Sequence, residues 1–163
     1  MSTVERISLA GAGGQVSVRV WPHPAPARLI LLAHGYGEHA GRYGHVADAL
    51  VQRGAAVYAP DHVGHGESDG ERVLLADIES VVDDLHSVAD IARSDHPDVP
   101  LVLVGHSMGG LIATRYAQRH GDELAGLVLS GPAVGLAPVL AQWLAVPELP
   151  DDPIDLAVLS RDP

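Results

Sequence analysis

The chain is expected to fold as an α/β domain, a doubly wound and mostly parallel sheet with helices on both faces, and three observations carry that expectation. Continuous apolar runs of strand length recur along the chain, they alternate with longer stretches whose apolar residues repeat at helical spacing, and turn residues fall at the joints. Connections of this length permit parallel strands, and right-handed crossovers then place helices on both faces. With 163 residues, 47% of them hydrophobic and 19% charged, the chain is large enough and apolar enough to bury such a core. It has no Phe, so Leu, Val, Ile and Ala must fill that core.

Residues 16–21, Val-Ser-Val-Arg-Val-Trp, alternate apolar and polar side chains as a half-buried strand does. Residues 7–9, across the turn Gly11-Ala12-Gly13-Gly14, supply a hairpin partner. Residues 29–33 form the first continuous apolar run and read as a central strand. The period changes over 43–52, where Val46, Ala49 and Leu50 share one helical face and Gly54 stands where a helix ends in a left-handed residue. Residues 55–59 return to a strand. Residues 78–93 place Ile78, Val81, Val82, Leu85, Val88, Ala89 and Ala92 on one helical stripe. Strand 101–104, helix 108–120 and strand 124–129 complete the alternation. Beyond Ser130 the sheet pattern stops: 137–146 reads as a short helix with Pro138 in its first turn, and 147–163 is proline-rich with no periodic run. The expected division is a core over 1–131 and the start of a covering lid or cap segment over 132–163.

Composition excludes several function classes. Ten basic against 21 acidic side chains give a formal net charge of −11, a field that repels phosphate backbones, so nucleic acid is not an expected partner. Without cysteine there is no disulfide, thiolate nucleophile or Cys-based zinc site. Glu5 and Arg6 stand where a signal peptide needs an apolar run. The most apolar stretch, 124–146, is broken by Gly131, Pro132, Gly135 and Pro138, so no transmembrane segment is expected and the location is read as cytoplasmic. Among the 10 histidines, His62 and His65 are three apart but belong to no H-x-x-x-H helix, and neither a metal nor a cofactor is expected. Gly64-His65-Gly66 imitates the start of a dinucleotide-binding loop but has Asp69 in place of the third glycine, and 11–14 fails in the same way at Val16. Both stretches read as turns.

The chemistry concentrates in Gly105-His106-Ser107-Met108-Gly109, a G-x-S-x-G pattern lying between a buried strand and a helix. A sharp strand-to-helix turn lifts a serine hydroxyl above the sheet, and flanking glycines let neighbouring backbone pass without a Cβ collision. Ser107 is therefore the expected nucleophile. Attack on a carbonyl needs donors for the developing oxyanion; the backbone N–H of Met108, at a helix N-terminus, is one, and the N–H of Tyr36 in His34-Gly35-Tyr36-Gly37-Glu38-His39 is the expected second. His34 and His106 flank this site in sequence and are read as packing groups behind it rather than bases.

Four ordered stretches carry a family resemblance. They are Ala33-His34-Gly35-Tyr36-Gly37-Glu38-His39, Gly41-Arg42-Tyr43, the run Asp61-His62-Val63-Gly64-His65-Gly66-Glu67-Ser68-Asp69-Gly70-Glu71-Arg72, and Gly105-His106-Ser107-Met108-Gly109-Gly110. Together they resemble the monoacylglycerol lipases and lysophospholipases, α/β-hydrolases of the serine aminopeptidase S33-like group. The resemblance implies hydrolysis of a monoacylglycerol or similar single-chain lipid ester through an acyl-enzyme on Ser107, with Tyr36 and Met108 as oxyanion donors. It also makes 132–163 the beginning of a lid able to touch lipid surfaces transiently.

In such hydrolases the acid and the base of the triad follow the serine, in the order Ser, Asp or Glu, His. After Ser107 the only histidine is His120, which in a helix over 108–120 lies roughly 20 Å along the axis and out of reach. The triad Asp and His are therefore expected beyond residue 163, which reads the chain as an N-terminal fragment truncated before the last strands, with a sheet edge where the next strand would pair. The competing expectation is a catalytically incompetent half-domain or pseudoenzyme that binds lipid or a complementary chain.

Overall fold

The computed structural model describes residues 3–135. The elements in chain order are β1 (Glu5–Gly11), β2 (Gly14–Trp21), β3 (Arg28–Ala33), α1 (Gly44–Val51), β4 (Ala55–Pro60), α2 (Ile78–Asp95), β5 (Leu101–His106), α3 (Met108–His120) and β6 (Gly126–Ser130). Among the described residues the sheet runs β1-β2-β4-β3-β5-β6. β1 pairs antiparallel with β2, and β2 with β4, whereas β4, β3, β5 and β6 lie parallel. This is the α/β-hydrolase arrangement, a mostly parallel sheet entered through an antiparallel hairpin.

Strand periodicity sorts the core into two layers. Leu29, Leu31 and Ala33 of β3 face α2 and α3, together with Val81, Val82, Leu85, Ile112 and Tyr116. Ile30 and Leu32 face the opposite side, where Val57 of the adjacent β4 extends the same face and Ala47 of α1 packs with them. The apolar run 29–33 is thus continuous because both faces of the strand are buried. Local signals close the elements. Asp77 caps α2 by accepting the N–H groups of Glu79 and Ser80 at 3.1 Å each. Gly54, at φ 79°, takes the left-handed conformation that ends the turn after α1.

The differences from expectation lie at element ends. β1 is longer than 7–9 because every residue of it pairs with β2, from Glu5 opposite Val20 to Gly11 opposite Gly14. A 3-10 turn, Ala40–Tyr43, precedes α1, so the helical stretch begins earlier than 43. β6 starts at Gly126 rather than 124 and is the edge strand of the described sheet; its Leu127, Val128 and Leu129 are exposed there. Gly64 and Gly66 take positive φ in tight turns, as does Gly14 in the hairpin. The expected helix 137–146, the tail 147–163 and all but the first residues of the expected lid lie outside the described residues.

Candidate active site

The parallel register sets Ala33, the last residue of β3, beside Gly105 near the end of β5, so the loops leaving both strands meet at one edge of the sheet. At that edge Ser107 has φ 52° and ψ −117°, a conformation that side-chain-bearing residues rarely adopt. The surrounding backbone fixes it there. The Ser107 N–H donates to the Ser130 carbonyl at 3.0 Å, and the Ser107 carbonyl accepts from Gly110 at 2.9 Å and Ala133 at 2.9 Å. The end of β6 and the first turn of α3 therefore hold the elbow from two sides.

The glycines of the motif have separate steric reasons. A Cβ on Gly105 would run into the Gly109 carbonyl oxygen and come within 2.8 Å of the Ala113 side chain. A Cβ on Gly109 would run into the Ala33 carbonyl oxygen, because α3 crosses directly over the end of β3. Only glycine at both positions lets strand, elbow and helix approach this closely.

The opposing loop is a turn from Gly35 to Glu38, closed by the Glu38 N–H to the Gly35 carbonyl at 3.3 Å, with Gly37 at φ 69° in its third position. It packs against the elbow: the position a Cβ would take on Gly35 is 3.4 Å from Cβ of Ser107. Tyr36 lies at the tip of the turn, 52% exposed, with its ring edge-on to His65. The N–H groups of Tyr36 and Met108 make no hydrogen bond among the described residues, so both backbone donors expected for an oxyanion are unengaged.

Glu38 is the group that the sequence reading passed over. Its Oε2 accepts the Gly35 N–H at 3.1 Å and the Tyr43 hydroxyl at 2.7 Å, and its Oε1 is paired with Arg42 at 3.3 Å. Burial opposes its charge, but the Tyr43 and Gly35 hydrogen bonds and the Arg42 charge outweigh burial and hold its pKa below the ordinary glutamate value. Burial and the neighbouring carboxylate raise the Tyr43 pKa, so this hydroxyl remains a donor. The only sequence signal for Glu38 was its place directly after the Gly35–Gly37 turn.

Beneath the loop, His34 is fully buried. Its Nε2 accepts the backbone N–H of His62 at 3.0 Å, which leaves Nδ1 to carry the proton and donate to the Gly35 carbonyl at 2.7 Å. Burial lowers its pKa to about 4. His62 and His65 are buried as well, not solvated, and their rings lie 4.3 Å and 5.3 Å from that of His34. Asp61 ties the same layer together, accepting from Ala40 at 2.6 Å and Glu67 at 2.9 Å. His106 directly precedes Ser107, its Nδ1 3.0 Å from the Ser130 carbonyl. Among the described residues no imidazole or carboxylate is hydrogen-bonded to the Ser107 hydroxyl, and His120 closes the far end of α3.

A strained serine at a strand–turn–helix elbow, facing an N–H-bearing loop after a neighbouring parallel strand, defines the α/β-hydrolase class of serine hydrolases. Residues 24–163 match the family model described as serine aminopeptidase, S33, and the chain belongs to that family. It is 44% identical over 99% of its length to a monoacylglycerol lipase of Mycolicibacterium smegmatis, covering 62% of that protein. It is 42% identical over 94% of its length to human monoglyceride lipase, covering 55% of it. The fold superimposes on a soluble variant of monoglyceride lipase from Saccharomyces cerevisiae in complex with a substrate analog with a TM-score of 0.75, at 28% identity, over 85% of this chain and 47% of that one. The chain thus spans about half to three-fifths of the length of these relatives.

Proposed function

We propose that the complete protein is a carboxylic ester hydrolase of single-chain lipid esters, monoacylglycerols or lysophospholipids, acting through an acyl-enzyme on Ser107. The observation that carries this reading is the backbone of Ser107 at φ 52°, at a strand–turn–helix elbow packed against the loop that bears the unengaged N–H of Tyr36. In the reaction the Ser107 oxygen adds to the ester carbonyl, and the carbonyl oxygen takes up the negative charge facing the N–H groups of Met108 and Tyr36. Collapse of the tetrahedral adduct expels the alcohol, and water then releases the fatty acid. Each backbone donor is typically worth about 3 kcal/mol in such a step. The proton of Ser107 passes to a histidine oriented by an acid, the two groups that follow the serine in the chain order of such hydrolases. Residues 132–163 are read as the start of a lid that meets the acyl chain or a lipid surface.

The test is hydrolysis by the complete protein of a monoacylglycerol, a lysophospholipid and a short p-nitrophenyl ester, alongside its Ser107→Ala variant. Fatty-acid release that falls by at least a thousandfold in the variant supports the reading. Unchanged release overturns it. Residues 1–163 alone are expected to retain at most a trace of this turnover.

A further inference from the structure

At the end of α3 remote from Ser107, two imidazoles and a carboxylate converge that the ester chemistry does not use. His86 comes from α2, His120 is the last residue of α3, and Glu123 lies in the 3-10 turn that follows, Gly121–Glu123. One ligand atom from each lies within 4.8 Å of the other two. We propose that these three residues form a binding site for a divalent transition-metal ion of the zinc class, which clips α2 to the connection between α3 and β6.

The separations favour an ion over direct pairing. Nδ1 of His120 is 3.4 Å from Oε1 of Glu123, and Nδ1 of His86 is 3.8 Å from its Oε2. Both are long for a charge-assisted hydrogen bond, which closes to about 2.8 Å. Ligands about 2.1 Å from one tetrahedral ion stand roughly 3.4 Å apart, the separation of His120 Nδ1 from Glu123 Oε1, so this pair stands at ligand spacing and His86 closes onto it from within 4.8 Å. Among the described residues neither nitrogen of the His120 ring makes a hydrogen bond, and its Nε2 is buried without a partner. Neutral imidazoles with one carboxylate are a ligand set that zinc accepts with a fourth position left to water.

The neighbours set the terms of binding. Arg93 engages Glu123 at Oε2, at 2.8 Å, and reaches Asp90 at 3.3 Å, so Oε1 is the oxygen left for an ion. Asp90 also lies 3.8 Å from Nε2 of His86. Two carboxylates against one guanidinium leave the cluster negative before an ion arrives. Tyr116 places its hydroxyl 3.1 Å from Nδ1 of His86, a contact that the ion displaces. The His86 and His120 rings are stacked at 3.9 Å and 12°, and nitrogen lone pairs lie in the ring planes, so binding one ion turns the rings out of the stack.

Titration calorimetry of the tag-free, EDTA-treated complete protein with zinc chloride at pH 7.5 is the experiment. The expected result is one equivalent bound with a micromolar Kd. Saturation should raise Tm by about 5 °C, His86→Ala and Glu123→Gln should each weaken binding at least tenfold, and His96→Ala, at the residue that follows α2 and is no part of the cluster, should leave it unchanged. Should His86→Ala fail to fold, cobalt(II) provides the second measurement: visible absorption of a four-coordinate site in the unaltered protein, reduced in Glu123→Gln. Absence of saturable binding below 1 mM, or binding of undiminished affinity in both variants, overturns the proposal.

Discussion

Glu38 accepts the backbone N–H of Gly35 at 3.1 Å, closing the turn whose tip presents the N–H of Tyr36. A side chain three residues along the chain thus fixes the direction of a backbone donor. Because the partners of Glu38 are Gly35, Tyr43 and Arg42 and not the Ser107 hydroxyl, it acts as a positioning residue. Glu38→Ala in the complete protein is expected to lower kcat by about tenfold or more with KM little changed, since the lost interaction supports the transition state rather than ground-state binding. Glu38→Gln, which keeps an acceptor oxygen, should recover part of the loss. Steady-state kinetics with a monoacylglycerol distinguishes this from a packing role, which would move stability and leave kcat per folded molecule unchanged.

The strain at Ser107 should be measurable as stability. Replacing a non-glycine residue at φ 52° by glycine removes a conformational cost of about 1–3 kcal/mol and adds back roughly 0.5–1 kcal/mol of backbone entropy. Ser107→Gly is therefore expected to unfold at higher denaturant than the parent while losing esterase activity. Urea titration followed by circular dichroism checks it, and a lower midpoint would show that the elbow is not strained.

Two glycines predict opposite outcomes. Gly109→Ala forces a methyl into the Ala33 carbonyl and should cost about 3 kcal/mol, because α3 and β3 cannot separate without opening the core. Gly121→Ala meets nothing within 4 Å and has φ −66°, so it should be neutral or stabilise slightly. Thermal unfolding of both variants gives the comparison directly.

Stability should fall in mild acid because of the histidines under the Gly35–Glu38 loop. An imidazole is protonated near 6.5 in the unfolded chain, but burial lowers His34 to about 4 in the fold. Between those values the unfolded state binds more protons, so unfolding becomes easier as pH drops from 6.5, and the effect levels off below 4. His34 alone accounts for a loss on the order of 3 kcal/mol, and His62, also held well below 6.5 by burial, adds to it. Urea unfolding at pH 7.5 and 4.5 should show this loss, with a shallower dependence in His34→Gln.

What the sequence disclosed follows from the range of the interactions. Strands β3, β4 and β5 were legible because burial on both faces leaves an unbroken apolar run, and α2 because its stripe repeats every turn. The elbow was legible because its glycines are neighbours of the serine they serve. Asp61 and His62 were not recognised, since their partners are brought near only by the fold: the His62 N–H meets the His34 ring across 28 residues, and Asp61 meets the Ala40 N–H across 21. Glu38 was missed although its partners Gly35 and Tyr43 are local, because three- and five-residue spacings in a loop carry no pattern. No periodicity records such pairings. The cluster of His86, His120 and Glu123 was missed for the same reason, because its ligands arrive from two helices and a turn.

The proposed function rests on Ser107 being an activated nucleophile. Treating the complete protein with a fluorophosphonate and mapping the modified peptide by mass spectrometry tests it most directly. The expected result is one stoichiometric adduct, on Ser107, formed in step with loss of esterase activity and absent from Ser107→Ala. An adduct on another residue, or full activity with Ser107 unmodified, would assign the nucleophile elsewhere.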